Sequence, residues 1–219
     1  MNSYQTLKSL QIWKDHPVYI VAGGPSVLSQ NLELIKNKIV VGVNDSYQMG
    51  NWIDCCWFGD TRWYHWWWND QGKPLKDFPN LIATCAPQPD QFDKRIIYFE
   101  RDFKKRQGIS PDPNKVAWNM NSGFSCIDFC IKMGASVVIL LGMDMGLVPN
   151  NNTTHWHGGH KKSGYKPKPS TLPYKRFLTV VPSIKIDADA RNIPIINTSL
   201  QSQIGHFPKI SLEEVVKIY

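Results

Sequence analysis

HPVYIVAGGPSVLSQNLELIKNK, residues 16–38, decides the fold. It opens on a proline and a β-branched apolar run, Val18 to Ala22, that has the length of one buried strand. Gly23-Gly24-Pro25-Ser26 then breaks the strand. Apolar residues resume at Val27, Leu28, Leu32 and Ile35, a spacing that predicts one helix. Strand, glycine turn and helix in this order make the first unit of an α/β domain.

The same grammar recurs downstream. KIVVGVNDSY (38–47) and WIDCCWFGD (52–60) give two more buried strands that end in small or polar residues. NLIATCA (80–86) predicts a fourth strand and RIIYFE (95–100) a fifth. The segment 105–123 reads as a loop. FSCIDFCIKMGA (124–135) places Phe124, Ile127, Cys130 and Ile131 on one helical face, and the strand SVVILLGMD (136–144) follows. LTVVPSIKIDADARN (178–192) has helical character, IPIINTS (193–199) is a last strand, and Ser211 and Glu214 have the spacing of a capping box. Continuous apolar strands separated by helix-length stretches predict a doubly wound, mostly parallel, Rossmann-like sheet covered on both faces. No repeat divides the chain, so residues 1–219 are expected to form one domain. Residues 147–173 lack apolar periodicity and predict a lid or binding loop within it.

Composition sets limits on function. With 219 residues and 42% hydrophobic content the chain can bury a sizeable core, which excludes disorder as its main state. A net charge of +7 suits an anionic partner, whether nucleotide, phosphorylated substrate or nucleic acid, and equally suits a merely soluble basic protein. The five cysteines are odd in number and contain no CxxC pair, as expected of core thiols in a reducing compartment. The first 17 residues hold no apolar run of signal-peptide length, and no window approaches a membrane span, so a cytoplasmic location is expected.

In a doubly wound sheet, ligands bind beyond the carboxyl ends of the strands. The residues found there are Gly23, Gly24, Pro25 and Ser26, then Asn44, then Asp60, then Asn121, Ser122 and Gly123, and finally Asp144. The first and fourth groups look like helix starts, where backbone N–H groups favour a phosphate, although Pro25 and Asn121 or Ser122 are equally what ordinary helix starts use. Asn44 and Asp60 carry side chains able to bond a ribose or base or to hold a metal ion. Asp45 reads as a cap of the next helix, Asp54 as an exposed loop carboxylate, and Asp144 as a candidate turn organiser. TRWYHWWWND (61–70) offers rings for stacking a base or sugar, but large aromatics more often fill a core or a subunit interface, which leaves a homo-oligomer open.

HWHGGH (155–160) concentrates three of the six histidines. It lacks the helical spacing and the neighbouring carboxylate or cysteine of a zinc site, so no metal ligands are assigned. A histidine over a nucleotide cleft is suited to removing a proton from a hydroxyl. Lys161, Lys162 and Tyr165, close behind, could neutralise a departing phosphate, or could belong to a solvated basic loop.

The ordered set VAGGPS, VNDSY, NSGFSCIDFCIKMGASVVILLGMD, HWHGGH and IPIINTSLQS, spanning about Val18 to Ser202, resembles the bacterial CMP-sialic acid-dependent sialyltransferases. It is also similar to a wider Rossmann-like group that includes 6-hydroxymethylpterin diphosphokinases and motility-associated glycosylation factors. The first resemblance implies nucleotide contacts at Gly23, Gly24, Pro25, Ser26, Asn44, Ser122 and Gly123. It implies a catalytic base at His155, with His160 matching the second histidine of the family stretch. Where the family has tyrosines that stabilise the departing phosphate, this chain has Met145 and Gly146, which leaves Tyr165 or Tyr174 for that role.

The expectation is therefore a glycosyltransferase that passes a sugar from a nucleotide-activated donor, CMP-linked or other, to a hydroxyl on a glycan or other acceptor without a required cofactor. One alternative is a diphosphokinase-like transferase using ATP and magnesium, in which Asp60 would matter most. A non-catalytic nucleotide- or nucleic-acid-binding module is the other.

Overall fold

The structure, a computed structural model, describes residues 11–146, 154–157 and 173–219. Its centre is a parallel sheet of seven strands: β1 (Pro17–Val21), β2 (Ile39–Val43), β3 (Cys55–Phe58), β4 (Leu81–Thr84), β5 (Ile97–Tyr98), β8 (Val137–Leu141) and β9 (Ile195–Asn197). Two further short strands, β6 (Glu100–Arg101) and β7 (Lys115–Val116), pair in parallel as a small second sheet. The helices are α1 (Thr61–Trp68), α2 (Ser122–Lys132), α3 (Tyr174–Leu178), α4 (Val181–Asp189) and α5 (Leu212–Ile218).

The order in the sheet is β5-β4-β3-β2-β1-β8-β9. The chain winds outward from β1 to β5, then returns so that β8 lies against the other side of β1, with Pro17 paired to Val137 and Val21 to Leu141. The winding direction reverses at the β1–β8 junction, which opens a crevice at the carboxyl ends of those strands.

Alternation along each strand sends successive side chains to opposite faces, and both faces are dry. Val18, Ile20, Val41, Trp57, Val138 and Leu140 pack with the buried side of α2 and with Val181 and Ile184 of α4. Tyr19, Val21, Val40, Phe58, Ile139 and Leu141 pack on the other face with Val27, Ile35, Trp63, Tyr64 and Leu212. Trp57 links the layers: its ring stacks on Phe129 at 4.4 Å between centroids, and its Nε1 donates to the Ser122 carbonyl and Ser125 Oγ, each at 3.1 Å. The start of α2 is thereby fixed over the sheet.

Several local expectations change. The helix predicted from Val27 to Ile35 is instead two 3-10 turns, Pro25–Ser29 and Leu32–Ile35. Polar side chains divide it: Ser29 Oγ donates to the Ser26 carbonyl, and Asn31 Oδ1 accepts from Glu33 N–H and restarts the turn. The fifth predicted strand is split into β5 and β6, and β7 lies inside the stretch read as a loop. The segment read as helix from Leu178 to Asn192 is the end of α3 followed by α4. Asp45 does not cap a helix, since the following 3-10 turn starts from Val43 and the Asp45 carboxylate is engaged elsewhere. Asp54 is exposed as expected, yet it accepts the Val40 N–H at 2.7 Å. The capping box at Ser211 and Glu214 forms.

Candidate functional site

At the reversal point lies a cleft of about 760 Å³. Its floor is the turn after β1 and the turn after β8, Ala22-Gly23-Gly24 and Gly142–Gly146. These turns are bonded to one another: Gly24 N–H donates to the Gly142 carbonyl at 2.8 Å, and Ser26 N–H to Asp144 Oδ2 at 3.0 Å. Ser26 Oγ reaches Ser199 Oγ at 2.8 Å, and Ser199 Oγ accepts the Gly142 N–H at 3.0 Å. Pro25 and Ser26 thus stand behind the floor, outside the cleft lining, in a five-residue 3-10 turn and not at the head of an α-helix. Of the residues expected to cradle a phosphate there, Gly23 and Gly24 line the cleft, and Pro25 and Ser26 do not.

Space is tight at both glycines and decisive at Gly24. A Cβ on Gly24 would lie 2.3 Å from the Gly142 carbonyl oxygen and 2.4 Å from Asp144 Oδ2, and one on Gly23 would lie 2.8 Å from His155 Cδ2. Close approach, and not a left-handed backbone, excludes a side chain at Gly24, whose φ is −65°.

Asn44 and Asn121 line the cleft from β2 and from the head of α2. Asn44 holds the left-handed conformation at φ 51°, a shape that asparagine tolerates better than most residues. Its Oδ1 is buried with no hydrogen-bond partner among the described residues, and so is Nδ2 of Asn121. The other half of the Asn121 amide is spent on α2, where Oδ1 accepts the Phe124 N–H at 2.9 Å as an N-cap. Two residues of the cleft lining therefore each carry one buried amide atom without a partner among the described residues, an acceptor on Asn44 and a donor on Asn121. Buried polar groups normally find partners, and an unmet one costs about 1–3 kcal/mol. Ser122 and Gly123 line the cleft beside them.

Residues 154–157 run across Gly23 as a strap. Trp156 N–H donates to the Gly23 carbonyl at 2.9 Å, which sets His155 and His157 with ring centroids 5.1 Å apart. His155 Nδ1 lies 2.8 Å from Thr154 Oγ1, and His157 Nδ1 lies 3.3 Å from Asp45 Oδ2. Asp45 is only 3% exposed, and its other oxygen accepts from Trp63 Nε1 at 2.5 Å. Thr154, His155 and His157 all line the cleft.

Asp60, Arg62, Trp63, Trp66 and Trp118 form one wall, with Tyr174 and Phe177 of α3 also in the lining. The Asp60 carboxylate caps α1 by accepting the Arg62 N–H at 2.8 Å. The Arg101 guanidinium lies 3.9 Å from the Trp118 ring centroid, and its Nε donates to the Cys85 carbonyl at 2.8 Å, so this ring is held from behind. Of the Trp-rich run, Trp63 and Tyr64 are buried as expected of core aromatics, whereas Trp66 faces the cleft. Burial first, and then the Asp144 carboxylate, raise the Tyr174 phenol above its ordinary value, so it remains a neutral O–H donor at pH 7.

His160, Lys161, Lys162 and Tyr165 lie outside the described residues, as does most of the lid expected over 147–173. Among the described residues, no group of three His, Cys, Asp or Glu side chains is placed to hold a metal ion, and no helix is long and apolar enough to cross a membrane. Sequence reasoning missed Thr154, Trp118 and the Asp45–His157 contact. Trp118 carried a usable signal, a lone large ring four residues ahead of the candidate turn at Ser122. The Asp45 contact carried none, because its partner is remote in sequence.

No protein-family model matches the chain, and no curated protein does. Among solved structures, 90% of the chain superposes on 86% of a sialyltransferase from Campylobacter jejuni, with a TM-score of 0.59 and 14% identity. In fold, the chain is similar to CstII. That CstII structure is a complex with a substrate analogue, CMP-3FNeuAc. A second CstII structure, described with cytidine-5'-monophosphate as substrate analogue, matches over the same shares with a TM-score of 0.50 and 13% identity. The likeness to CstII is one of fold: an α/β Rossmann-like architecture built on a parallel sheet.

Proposed function

We propose that the chain is a glycosyltransferase that moves a sugar from a nucleotide-activated donor to an acceptor hydroxyl. The observation that carries this reading is the pair of buried, unsatisfied amide atoms, Asn44 Oδ1 and Asn121 Nδ2, on two residues that line a cleft at the sheet's reversal point. A nucleobase or ribose offers both a donor and an acceptor and would meet both needs. The fold shared with CstII, whose structures hold CMP-based analogues, supports a nucleotide sugar as the donor class.

In this reading the base and ribose lie against Asn44, Asn121, Ser122 and Gly123, and the phosphate lies over the Gly23-Gly24 backbone. His155, with Nδ1 against Thr154, acts as base and takes the proton of the acceptor hydroxyl as its oxygen attacks the anomeric carbon. The bond from the anomeric carbon to the phosphate oxygen breaks, and the electron pair leaves with the nucleotide. The Tyr174 hydroxyl donates a hydrogen bond to the departing phosphate. His160, Lys161, Lys162 and Tyr165 are proposed to serve the same lid, and Asp60 to bound the nucleotide at the rim.

The test is transfer from a panel of labelled nucleotide sugars, CMP-linked donors included, read as release of free nucleotide and labelled product. Wild type is expected to turn over at least one donor, and His155→Ala to lower kcat by about 10²–10⁴-fold. Absence of turnover with every donor would remove the reading. Retained kcat in His155→Ala would remove the base assignment alone.

A further inference from the structure

The two imidazoles of the strap occupy nearly equivalent places yet have different second partners. From the point where a Gly23 side chain would begin, His155 Nε2 lies at 3.7 Å and His157 Nε2 at 3.8 Å. Both nitrogens therefore face the turn after β1, where the donor phosphate lies in the reading above. Behind His155 stands a threonine hydroxyl, which can donate or accept. Behind His157 stands the carboxylate of Asp45.

Asp45 sits in the 3-10 turn Asn44–Met49 immediately after β2 and is almost fully enclosed. A carboxylate removed from water needs compensation. Trp63 supplies one hydrogen bond to Oδ1, and among the described residues the ion pair of Asp45 is with His157. Cys56 and Tyr47, which also face Asp45, are both held in their neutral forms chiefly by burial and bring no positive charge. Among the described residues the side chain placed to form an ion pair with Asp45 is thus His157, whose Nε2 lies near the turn after β1.

We infer that His157, fixed by Asp45, is the cationic group that receives the negative charge developing on the departing phosphate. This deepens the glycosyl-transfer reading and rests on it. As the bond from the anomeric carbon to the phosphate oxygen breaks, the electron pair stays on that oxygen, and the Nε2–H of His157 donates to it. The proton released by the acceptor goes to His155, so the two rings divide the work: one accepts a proton and the other supplies a charged donor. Asp45 is a positioning residue that holds the ring in place and favours its charged form. The pair adds a charged donor to the neutral Tyr174 hydroxyl at the same phosphate.

The inference is tested by separating phosphate binding from base binding. Titration calorimetry of the whole chain with the four common ribonucleoside 5′-monophosphates and their nucleosides gives, for the pair that wild type binds, the gain in affinity due to the phosphate. His157→Ala and Asp45→Asn are each expected to weaken monophosphate binding by about 10- to 100-fold while nucleoside binding stays within about 2-fold. If Asp45→Asn does not fold, His157→Ala and His157→Gln carry the test. Unchanged monophosphate affinity in His157→Ala, or an equal loss for nucleoside and monophosphate, overturns the inference and leaves the transferase reading standing. Wild type that binds no nucleotide or nucleoside overturns both.

Discussion

Asp144 Oδ2 accepts the backbone N–H of Ser26 at 3.0 Å, which ties the end of β8 to the turn after β1 between residues 118 positions apart. The carboxylate thus supplies an acceptor for a backbone N–H at the start of the 3-10 turn. Asp144→Ala leaves a part-buried donor unmet and is expected to lower unfolding free energy by about 1–3 kcal/mol in urea titration. Asp144→Asn keeps an acceptor and is expected to lose less than about 1 kcal/mol. Equal losses in the two variants would show that the carboxylate's contribution is not this bond.

Gly24→Ala tests the packing of the cleft floor. The backbone at Gly24 is in an ordinary extended shape, so alanine suffers no torsional penalty, but its Cβ would meet the Gly142 carbonyl oxygen at 2.3 Å. Both turns must move apart to admit it. A stability loss of about 1–3 kcal/mol, with loss of nucleotide binding, is expected in thermal melts and calorimetry. A variant that melts with wild type would mean that the floor yields freely.

Asn121 caps α2 through Oδ1 and, in the proposed reading, meets the nucleotide through Nδ2. Serine caps helices about as well as asparagine but lacks the amide N–H groups. Asn121→Ser is therefore expected to preserve stability within about 0.5 kcal/mol while weakening nucleotide affinity by roughly 10-fold or more. Asn121→Ala is expected to lose both, with about 1 kcal/mol of stability gone. Full nucleotide affinity in the serine variant would end the ligand role of Nδ2.

Asp128 makes stability depend on pH. It is enclosed in α2, where Oδ2 accepts the Ser110 and Ala117 N–H groups at 2.9 and 2.7 Å. Burial raises its pKa from the ordinary 3.8 to about 6, opposed by Lys132, whose Nζ is 3.8 Å away. Between these values the folded chain keeps a proton that the unfolded chain has released. The stability from this group is thus full below about pH 3.8 and is lost as pH rises through 6, a change of roughly 3 kcal/mol. Asp128→Asn, measured across pH 4–7 in urea, is expected to lack this falling component. A difference between variant and wild type that is flat with pH would refute it.

The sheet was legible because its strands are buried on both faces and are mostly apolar, from Val40-Val41 in β2 to Cys55-Cys56-Trp57-Phe58 in β3. The first helix was misread for an equally physical reason. Val27 and Ile35 are buried and Leu32 is partly buried in two separate 3-10 turns, and that arrangement mimics the period of one helix, while Leu28 is 68% exposed. Strand ends could be located from polar residues that follow apolar runs, which brought Asn44, Asn121, Ser122 and Gly123 to one cleft. Partner choice at those ends could not. Nothing near Asp45 distinguishes a capping carboxylate from one that grips a histidine arriving from the far side of the chain. Likewise, nothing in Gly23-Gly24-Pro25-Ser26 announces that the Ser26 N–H is reserved for Asp144.

The reversal between β1 and β8 has a consequence for how the molecule comes into being. β1 can pair with β2 early, since little chain separates them, but its other edge must wait for β8. Contacts so distant in sequence close late and slowly in folding. Half of the cleft floor arrives with the first strand and the other half with the eighth. A growing chain on the ribosome therefore has no complete cleft floor until Gly142 to Gly146 have emerged, and until then β1 exposes an open apolar edge that is prone to pair with other chains.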